Sequence, residues 1–454
     1  MHCKRRVPIL RIAQINVTAS AGAGRAAVQL CRMAQNAGHK ALFCYAREHA
    51  PSDVISCRIG HVWDTYLHMG LSRLTDRMGF FSKRATQKLV KQLELFKPDL
   101  IHLHNLHGYY LHLPTLFDYL KKNDLPVVWT LHDCWAYTGH CACYATAQDA
   151  PPLQAKRRRA EQHTVGCDRW QAGCGRCVLK RSYPAAWLRD RSARNWKDKR
   201  NLFQGLKHMV LTTPSEWLRD EVKLSFLKNY PLYVLPDGID LEVFQPCASS
   251  DYMHHAARSY GLDQLGDRKL VLSVAAVWDE RKGLDDLIEL AEQLGPEYCV
   301  AAVGLDPQQI DALPPNTVFG IRPTGNTNDL CALYTSANVY VSASREETFG
   351  MTLVEALACG TQVVCYDTTA MPEIVSDDVG RVAPSGDVNA LADAVRELCD
   401  NPRNENKCKE RAADFDSKER LAAFLRLYEK IYRFSPSYQS ALAHAAGKTA
   451  EKDE

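Results

Sequence analysis

Short apolar runs alternate with stretches of helical periodicity along almost the whole chain, the pattern of an α/β architecture with parallel sheets. The first strand is expected at residues 9–17. It runs into the small-residue turn Ala21-Gly22-Ala23-Gly24 and a helix over 25–36 that Gly38 ends, a strand, glycine-rich turn and helix in succession. Further strands are expected at 40–45, 100–104, 126–131, 209–213 and 232–235, and a second set at 269–274, 298–303, 317–319, 339–342 and 362–366. Helical spacing marks 284–294, 329–335, 352–358, 388–398 and 418–432.

The repeat of the pattern predicts two doubly wound, Rossmann-like domains. Such sheets bind ligands beyond the carboxyl ends of their strands, so two of them facing each other place a substrate in a central cleft. Pro236, Gly238, Pro246 and Ser249-Ser250 interrupt periodicity, which sets an N-terminal domain at 1–240 and a C-terminal domain at 241–417. An amphipathic helix at 418–435 is expected to pack across both, and the small, polar residues 436–454 to be disordered. Periodicity fails over about 138–183, read as a Cys-rich, basic insertion in the first domain.

Composition narrows the class. With 454 residues, 46% hydrophobic and 24% charged, wholesale disorder, collagen and coiled-coil architectures are excluded. No apolar run is long enough to span a bilayer, and 17 cysteines without an export signal indicate a reducing, cytoplasmic setting. The net charge is only +3, yet residues 151–210 hold 15 basic and 4 acidic residues, leaving the remainder near −8. That segment reads as an anion-facing patch or as a solvated basic surface.

Three motifs carry chemistry. In Glu347-Thr-Phe-Gly-Met-Thr-Leu-Val-Glu355 a polar loop leads into a helix start, where backbone N–H groups of Phe349, Gly350, Met351, Thr352 and Leu353 hold phosphate oxygens. Glu347 reaches the reacting end of a ligand, and Glu355 accepts paired hydrogen bonds from vicinal hydroxyls such as a ribose. In Trp278-Asp-Glu-Arg281-Lys282-Gly283 two cations at a strand's carboxyl end can neutralise a diphosphate. In Thr130-Leu-His132-Asp133, His132 bonds a sugar hydroxyl and Asp133 orients it or an acceptor. Ile321 and Arg322 are placed at the base pocket.

These strings, with the Gly22-Ala23-Gly24-Arg25 loop and the run from Val128 to Cys141, resemble the retaining glycosyltransferases of family 4 with the GT-B fold. More narrowly, they resemble the bacterial branch that builds colanic acid and other surface polysaccharides. The resemblance implies that Glu347 lies near the donor sugar and diphosphate, that Glu355 binds the ribose, and that Arg281 and Lys282 stabilise the leaving diphosphate. Gly22 and Gly24 would let backbone approach it, and His132 would stand beside the donor sugar. Three positions depart from the family pattern. Ala275-Ala276-Val277 replaces a strand-end Gly-Arg, so Arg281 is expected to supply the missing cation. Ala21 stands where a glycine is common, and Asp237-Gly-Ile-Asp replaces Asn-Gly-Ile-Asp, with no catalytic consequence expected.

The reading is a hexosyltransferase using a nucleoside-diphosphate sugar and a lipid-linked or oligosaccharide acceptor, with no metal needed for catalysis. A structural zinc is expected on Cys141, Cys167, Cys174 and Cys177, with Cys143 or His140 able to replace one. The basic segment, with Trp187 and Trp196, is expected to meet anionic headgroups at the inner membrane face. Two alternatives stand beside it: a nucleic-acid-binding protein using the Cys-rich basic segment, and a non-catalytic sugar-nucleotide-binding relative. Nucleic acid is not the expected partner.

Overall fold

The structure, a computed structural model, describes residues 9–20, 22–145 and 166–434. Ala21, the basic run 156–159 and the tail 436–454 lie outside the described residues.

Seven strands form the first sheet: β1 (Arg11–Ile15), β2 (Lys40–Tyr45), β3 (Ser56–Arg58), β4 (Leu100–Leu103), β5 (Val127–Thr130), β6 (Met209–Thr213) and β7 (Leu232–Val234). Six form the second: β8 (Lys269–Val274), β9 (Tyr298–Val303), β10 (Phe319–Ile321), β11 (Val339–Ser342), β12 (Val363–Asp367) and β13 (Gly380–Pro384). Their spatial orders are β3-β2-β1-β4-β5-β6-β7 and β10-β9-β8-β11-β12-β13. Every pairing is parallel. Each order reverses direction beside its first strand, which opens a crevice at the carboxyl ends of the strands.

Several elements differ from the sequence reading. The first helix begins at Gly22, not Arg25, and Gly24 lets its first turn lie against the chain before it. A Cβ at Gly24 would stand 2.6 Å from the Thr18 carbonyl oxygen. Strand β10 lies two residues later than expected. The helix Val62–Thr75 has no apolar stripe turned to a core, since Trp63 and Leu67 face solvent, so its periodicity gave no core signal.

The irregular segment of the first domain is not a loop lacking a core. Tyr137, Tyr144 and Trp170 are buried and pack into the first domain's interior. Three charged side chains from elsewhere hold it: Lys199 donates to the Trp135 and Thr138 carbonyls at 2.6 and 3.1 Å, Glu221 accepts from the Tyr144 hydroxyl, and Glu346 of the second domain accepts from the Tyr144 and Ala145 N–H groups at 3.0 and 2.7 Å. Trp196 is buried against Phe226 and is not available to a membrane.

The last helix, Ser417–Arg433, returns to the first domain. Its Phe424, Leu427, Tyr428 and Ile431 pack over Ile12, Leu100, Val128 and Val210. One step further along the same strands the face turns polar, at Gln14, His102, Thr130 and Thr212, and these residues are still buried.

Candidate active site

The two sheets face a cleft of about 720 Å3. The second domain builds one wall. Gly283, at φ 69°, lets the turn before it press against the end of β11, where a Cβ would stand 2.2 Å from the Ala343 carbonyl oxygen. The Arg345 N–H donates to the Arg281 carbonyl at 2.7 Å. The turn therefore sets Lys282 beside Glu347, and the two form an ion pair on the cleft wall, each about a fifth exposed. Glu347 is fixed by its own N–H, which donates to Thr369 Oγ1 at 2.9 Å. The adjacent helix Met351–Ala358 starts at Gly350, its cap, and Met351 and Thr352 face the cleft.

Glu355 lines the cleft one turn along. The Tyr334 hydroxyl donates to its Oε2 at 2.9 Å, and burial pushes its carboxyl up to about 7 against the opposing pull of Tyr334 and Arg25. A nearly buried carboxylate with one acceptor oxygen engaged is suited to receive a pair of ligand hydroxyls.

The first domain builds the other wall from dispersed residues. His132 Nε2 lies 3.1 Å from His104 Nδ1, and His104 Nε2 lies 2.8 Å from Gln14 Oε1. Gln14 Nε2 donates to the Tyr428 hydroxyl at 3.0 Å, which lies 2.6 Å from His102 Nδ1. His102 Nε2 in turn lies 2.7 Å from Thr130 Oγ1. One proton assignment satisfies the whole chain: each imidazole carries its proton on Nε2, Tyr428 donates to His102, and His132 keeps a lone pair on Nδ1. Burial lowers the pKa of His132, against the pull of Asp237 and Asp133, and it drives His102 and His104 well down. All three imidazoles are therefore neutral at pH 7.

Of the sequence candidates, the cleft gathers Gly22, His132, Lys282, Glu347, Met351, Thr352 and Glu355. Others sit elsewhere. Arg281 does not line the cleft: its guanidinium is held by Asp279 at 2.8 and 3.2 Å and by Cys143 Sγ at 3.3 Å, near enough to Glu347 to interact with it electrostatically. Asp133 does not orient His132; it pairs with His107 Nε2 at 2.6 Å and accepts the Trp135 N–H at 2.9 Å. Phe349 and Leu353 are buried in the second domain's core, and the Leu353 N–H donates to the Gly350 carbonyl at 3.0 Å. Ile321 is turned into the core, and exposed Arg322 borders a separate cavity of about 460 Å3 with Tyr260 and Ile310, because the end of β10 directs them away from the cleft. Thr324 and Thr327 face the cleft in their place.

Three participants were missed. Arg25 lines the cleft from the first helix and acts electrostatically on Glu355, so the second cation comes from the opposite domain. Asp237 lies on the same wall and interacts with His132; the departure from Asn adds a carboxyl to the site. Thr348 ties the domains together, its Oγ1 donating to the His132 carbonyl at 2.9 Å. Arg25 had a signal in its place directly after the small-residue turn, and the run His102-Leu-His104-Asn-Leu-His107 reads in the sequence as rim residues supporting the site, whereas Gln14 had none.

The cysteines divide. Cys143 faces Arg281. Cys141, Cys167, Cys174 and Cys177 are free thiols, the last three near enough to Cys141 to act on it electrostatically, and Cys174 Sγ accepts the Gly139 N–H at 3.1 Å. Among the described residues no three His, Cys, Asp or Glu side chains are arranged to hold a metal ion. The four thiols of the expected zinc set, Cys141, Cys167, Cys174 and Cys177, lie in one cluster that does not itself present a metal-binding arrangement.

A family model described as Glycosyltransferase Family 4 matches residues 20–243, and one described as Glycosyl transferases group 1 matches residues 262–415. The putative colanic acid biosynthesis glycosyl transferase WcaC of Escherichia coli K12 is 23% identical over 304 residues, which is 65% of this chain and 66% of that relative. The match thus spans slightly less than two thirds of the relative's length. Sucrose-phosphate synthase from Thermosynechococcus elongatus superposes with a TM-score of 0.64 at 18% identity, covering 93% of this chain and 99% of that one. HepE from Anabaena in complex with UDP-glucose gives 0.60 at 15% identity, covering 92% and 99%. At these identities the structural likeness speaks for the fold alone. Residues 20–243 are thus similar to the family 4 glycosyltransferases and residues 262–415 to the group 1 glycosyl transferases, and the two halves are joined in the GT-B fold.

Proposed function

We propose that the chain moves a hexosyl group from a nucleoside-diphosphate sugar to a lipid-linked or oligosaccharide acceptor. Transfer retains the anomeric configuration and serves the synthesis of bacterial exopolysaccharide, capsule or lipopolysaccharide at the cytoplasmic face of the membrane. The observation that carries this reading is the cleft itself, with the Lys282–Glu347 pair and Glu355 on one wall facing His132 and Arg25 on the other. The relation to a colanic acid transferase supports the pathway class, and the UDP-glucose complex of HepE supports the donor class.

In this reading the diphosphate lies against Lys282 and the start of the helix Met351–Ala358, where fixed positive charge offsets the charge that develops on the leaving group. The ribose hydroxyls reach Glu355. Lys282 exchanges its partner Glu347 for phosphate oxygens, and Glu347 then accepts from a sugar hydroxyl. His132, neutral and with Nδ1 as acceptor, holds another hydroxyl. The bond from the anomeric carbon to the diphosphate oxygen breaks, the acceptor oxygen bonds to the same face, and its proton passes to the departing phosphate oxygen.

The nucleic-acid reading gives the cleft no role, and two cations of the basic segment are engaged internally. Lys199 is buried under the Trp135 loop, and Arg169 donates to the Gly175 and Arg176 carbonyls. Thermal stabilisation by UDP, GDP and ADP tests the donor site: a nucleotide at about 100 times its Kd adds roughly 2.7 kcal/mol. The anomeric configuration of the product, read by NMR, tests retention. A non-catalytic relative would bind nucleotide without turnover.

A further inference from the structure

The helix Val62–Thr75 wears its apolar face outward. Trp63, Leu67 and Leu74 follow helical spacing along one side and are 82%, 65% and 43% exposed, with Tyr66 beside them at 57%. A helix that buries its apolar stripe in a core shows the reverse, and an exposed contiguous apolar patch marks an interaction surface.

The stripe continues into the segment that follows the Cys-rich region. The Trp187 N–H donates to the Arg73 carbonyl at 2.6 Å, and the Arg191 N–H to Asp76 Oδ2, just past the helix end, at 2.7 Å. This stretch is therefore fastened along the last turn of the helix. Between the two fasteners, Trp187 and Leu188 are 58% and 70% exposed, Arg189 is exposed, and the Arg73 guanidinium lies 5.1 Å from the Trp187 ring centre. Arg181 and Arg194 are exposed nearby in sequence. The intervening acid, Asp190, is exposed, but its carboxylate is engaged, accepting the Cys177 and Ser192 N–H groups at 2.6 and 2.9 Å.

We infer that this surface docks the protein on an anionic lipid bilayer. Tryptophan and leucine on an outward helical face, flanked by arginines, match the acyl boundary and the phosphate layer together, whereas a protein partner would need no such ordering of aromatic and cationic rows. The same patch leads to the cleft: the Tyr183 hydroxyl lies 2.8 Å from His107 Nδ1, and His107 pairs with Asp133, next to His132. A bilayer on this face delivers a lipid-linked acceptor to the first domain's side of the cleft. This step rests on the acceptor class proposed above; the docking itself does not.

The test is co-sedimentation of the full chain with vesicles of phosphatidylglycerol and phosphatidylethanolamine, against vesicles of phosphatidylcholine, with nucleotide-induced thermal stabilisation measured in parallel. The wild type is expected to pellet with the anionic vesicles alone. W63S/L67S and R181E/R189E are each expected to bind about tenfold more weakly with nucleotide stabilisation unchanged, because these side chains are exposed and none of them lines the cleft. Equal sedimentation of the variants, no sedimentation of the wild type, or a change from dimer to monomer in W63S/L67S by light scattering would overturn the inference. Vesicle binding without stabilisation by any nucleoside diphosphate would leave the surface standing and remove the transferase reading.

Discussion

The two walls of the cleft are built on different plans. On the second domain's wall, Lys282, Glu347 and Glu355 come from two short strings, each a strand end leading into a helix, and their geometry is local. On the first domain's wall, His132 is held through His104 from β4's end, Gln14 from β1 and Tyr428 from the last helix, a residue 296 positions away from His132. The local wall carries charge that faces a ligand directly; the dispersed wall sets the proton position of one imidazole through buried neutral groups. Loss of a residue on the first should therefore strike chemistry and leave the fold intact, while loss on the second should cost stability, and cost rate as well where the residue touches His132.

The largest expected effect breaks the local wall. Glu347→Ala and Lys282→Ala are each expected to lower kcat by about 100- to 1000-fold with a thermal midpoint close to wild type, measured as initial rates and unfolding curves on the same preparations. Sugar transfer by Glu347→Ala at wild-type rate would remove the catalytic assignment.

Next comes Glu355→Gln, which keeps an acceptor for Tyr334 and loses one for the ribose. Donor KM should rise by about tenfold, the equivalent of roughly 1.4 kcal/mol. Because burial holds the Glu355 carboxyl at about 7, above its unfolded value, the native state binds the extra proton and the wild type loses stability as pH rises from about 4.5 through 7. The glutamine variant should lack that loss, so its midpoint should exceed the wild type's at pH 8 and approach it at pH 5.

His104→Leu sharpens the comparison from the other side. It leaves Gln14 Oε1 and the His132 Nε2–H without their partner, so a stability loss of about 1–3 kcal/mol should accompany a fall in kcat and a displaced pH profile as His132 is released to titrate. Burial depresses His102 and His104, so below about pH 6.5 the unfolded chain takes up protons that the native state refuses, and stability falls with pH. This acid loss should be smaller in His104→Leu. The smallest effect is expected for Tyr428→Phe, about 1 kcal/mol in stability with kcat nearly unchanged, since Tyr428 touches His132 only through Gln14 and His104.

What was legible in the sequence follows the same division. Strands β2, β6, β8, β9 and β11 have the expected bounds because a strand buried on both faces is a continuous apolar run. Strand β13 and the helix Val62–Thr75 escaped because their faces are mixed or inverted. Glu347 and Lys282 were legible because helix starts and strand-end turns have local signatures. Arg281 misled, for a cation in a motif can be claimed by a neighbour, here Asp279 and Cys143. The irregular segment misled more deeply: Tyr137, Tyr144 and Trp170 show no period, yet Lys199, Glu221 and Glu346 hold their segment into the domain. Glu346 gave no signal beside Glu347, although it binds the first domain's backbone across the cleft's edge.

The sequence by itself determined the two doubly wound sheets and the charged wall of the second domain, since hydrophobic period and turn chemistry act over a few residues. Only the tertiary structure decided which cations face the cleft, how His132 carries its proton, and which face of Val62–Thr75 meets solvent. Those outcomes depend on hydrogen bonds and burial between residues far apart in the chain, where competition among partners, and not local propensity, selects the arrangement.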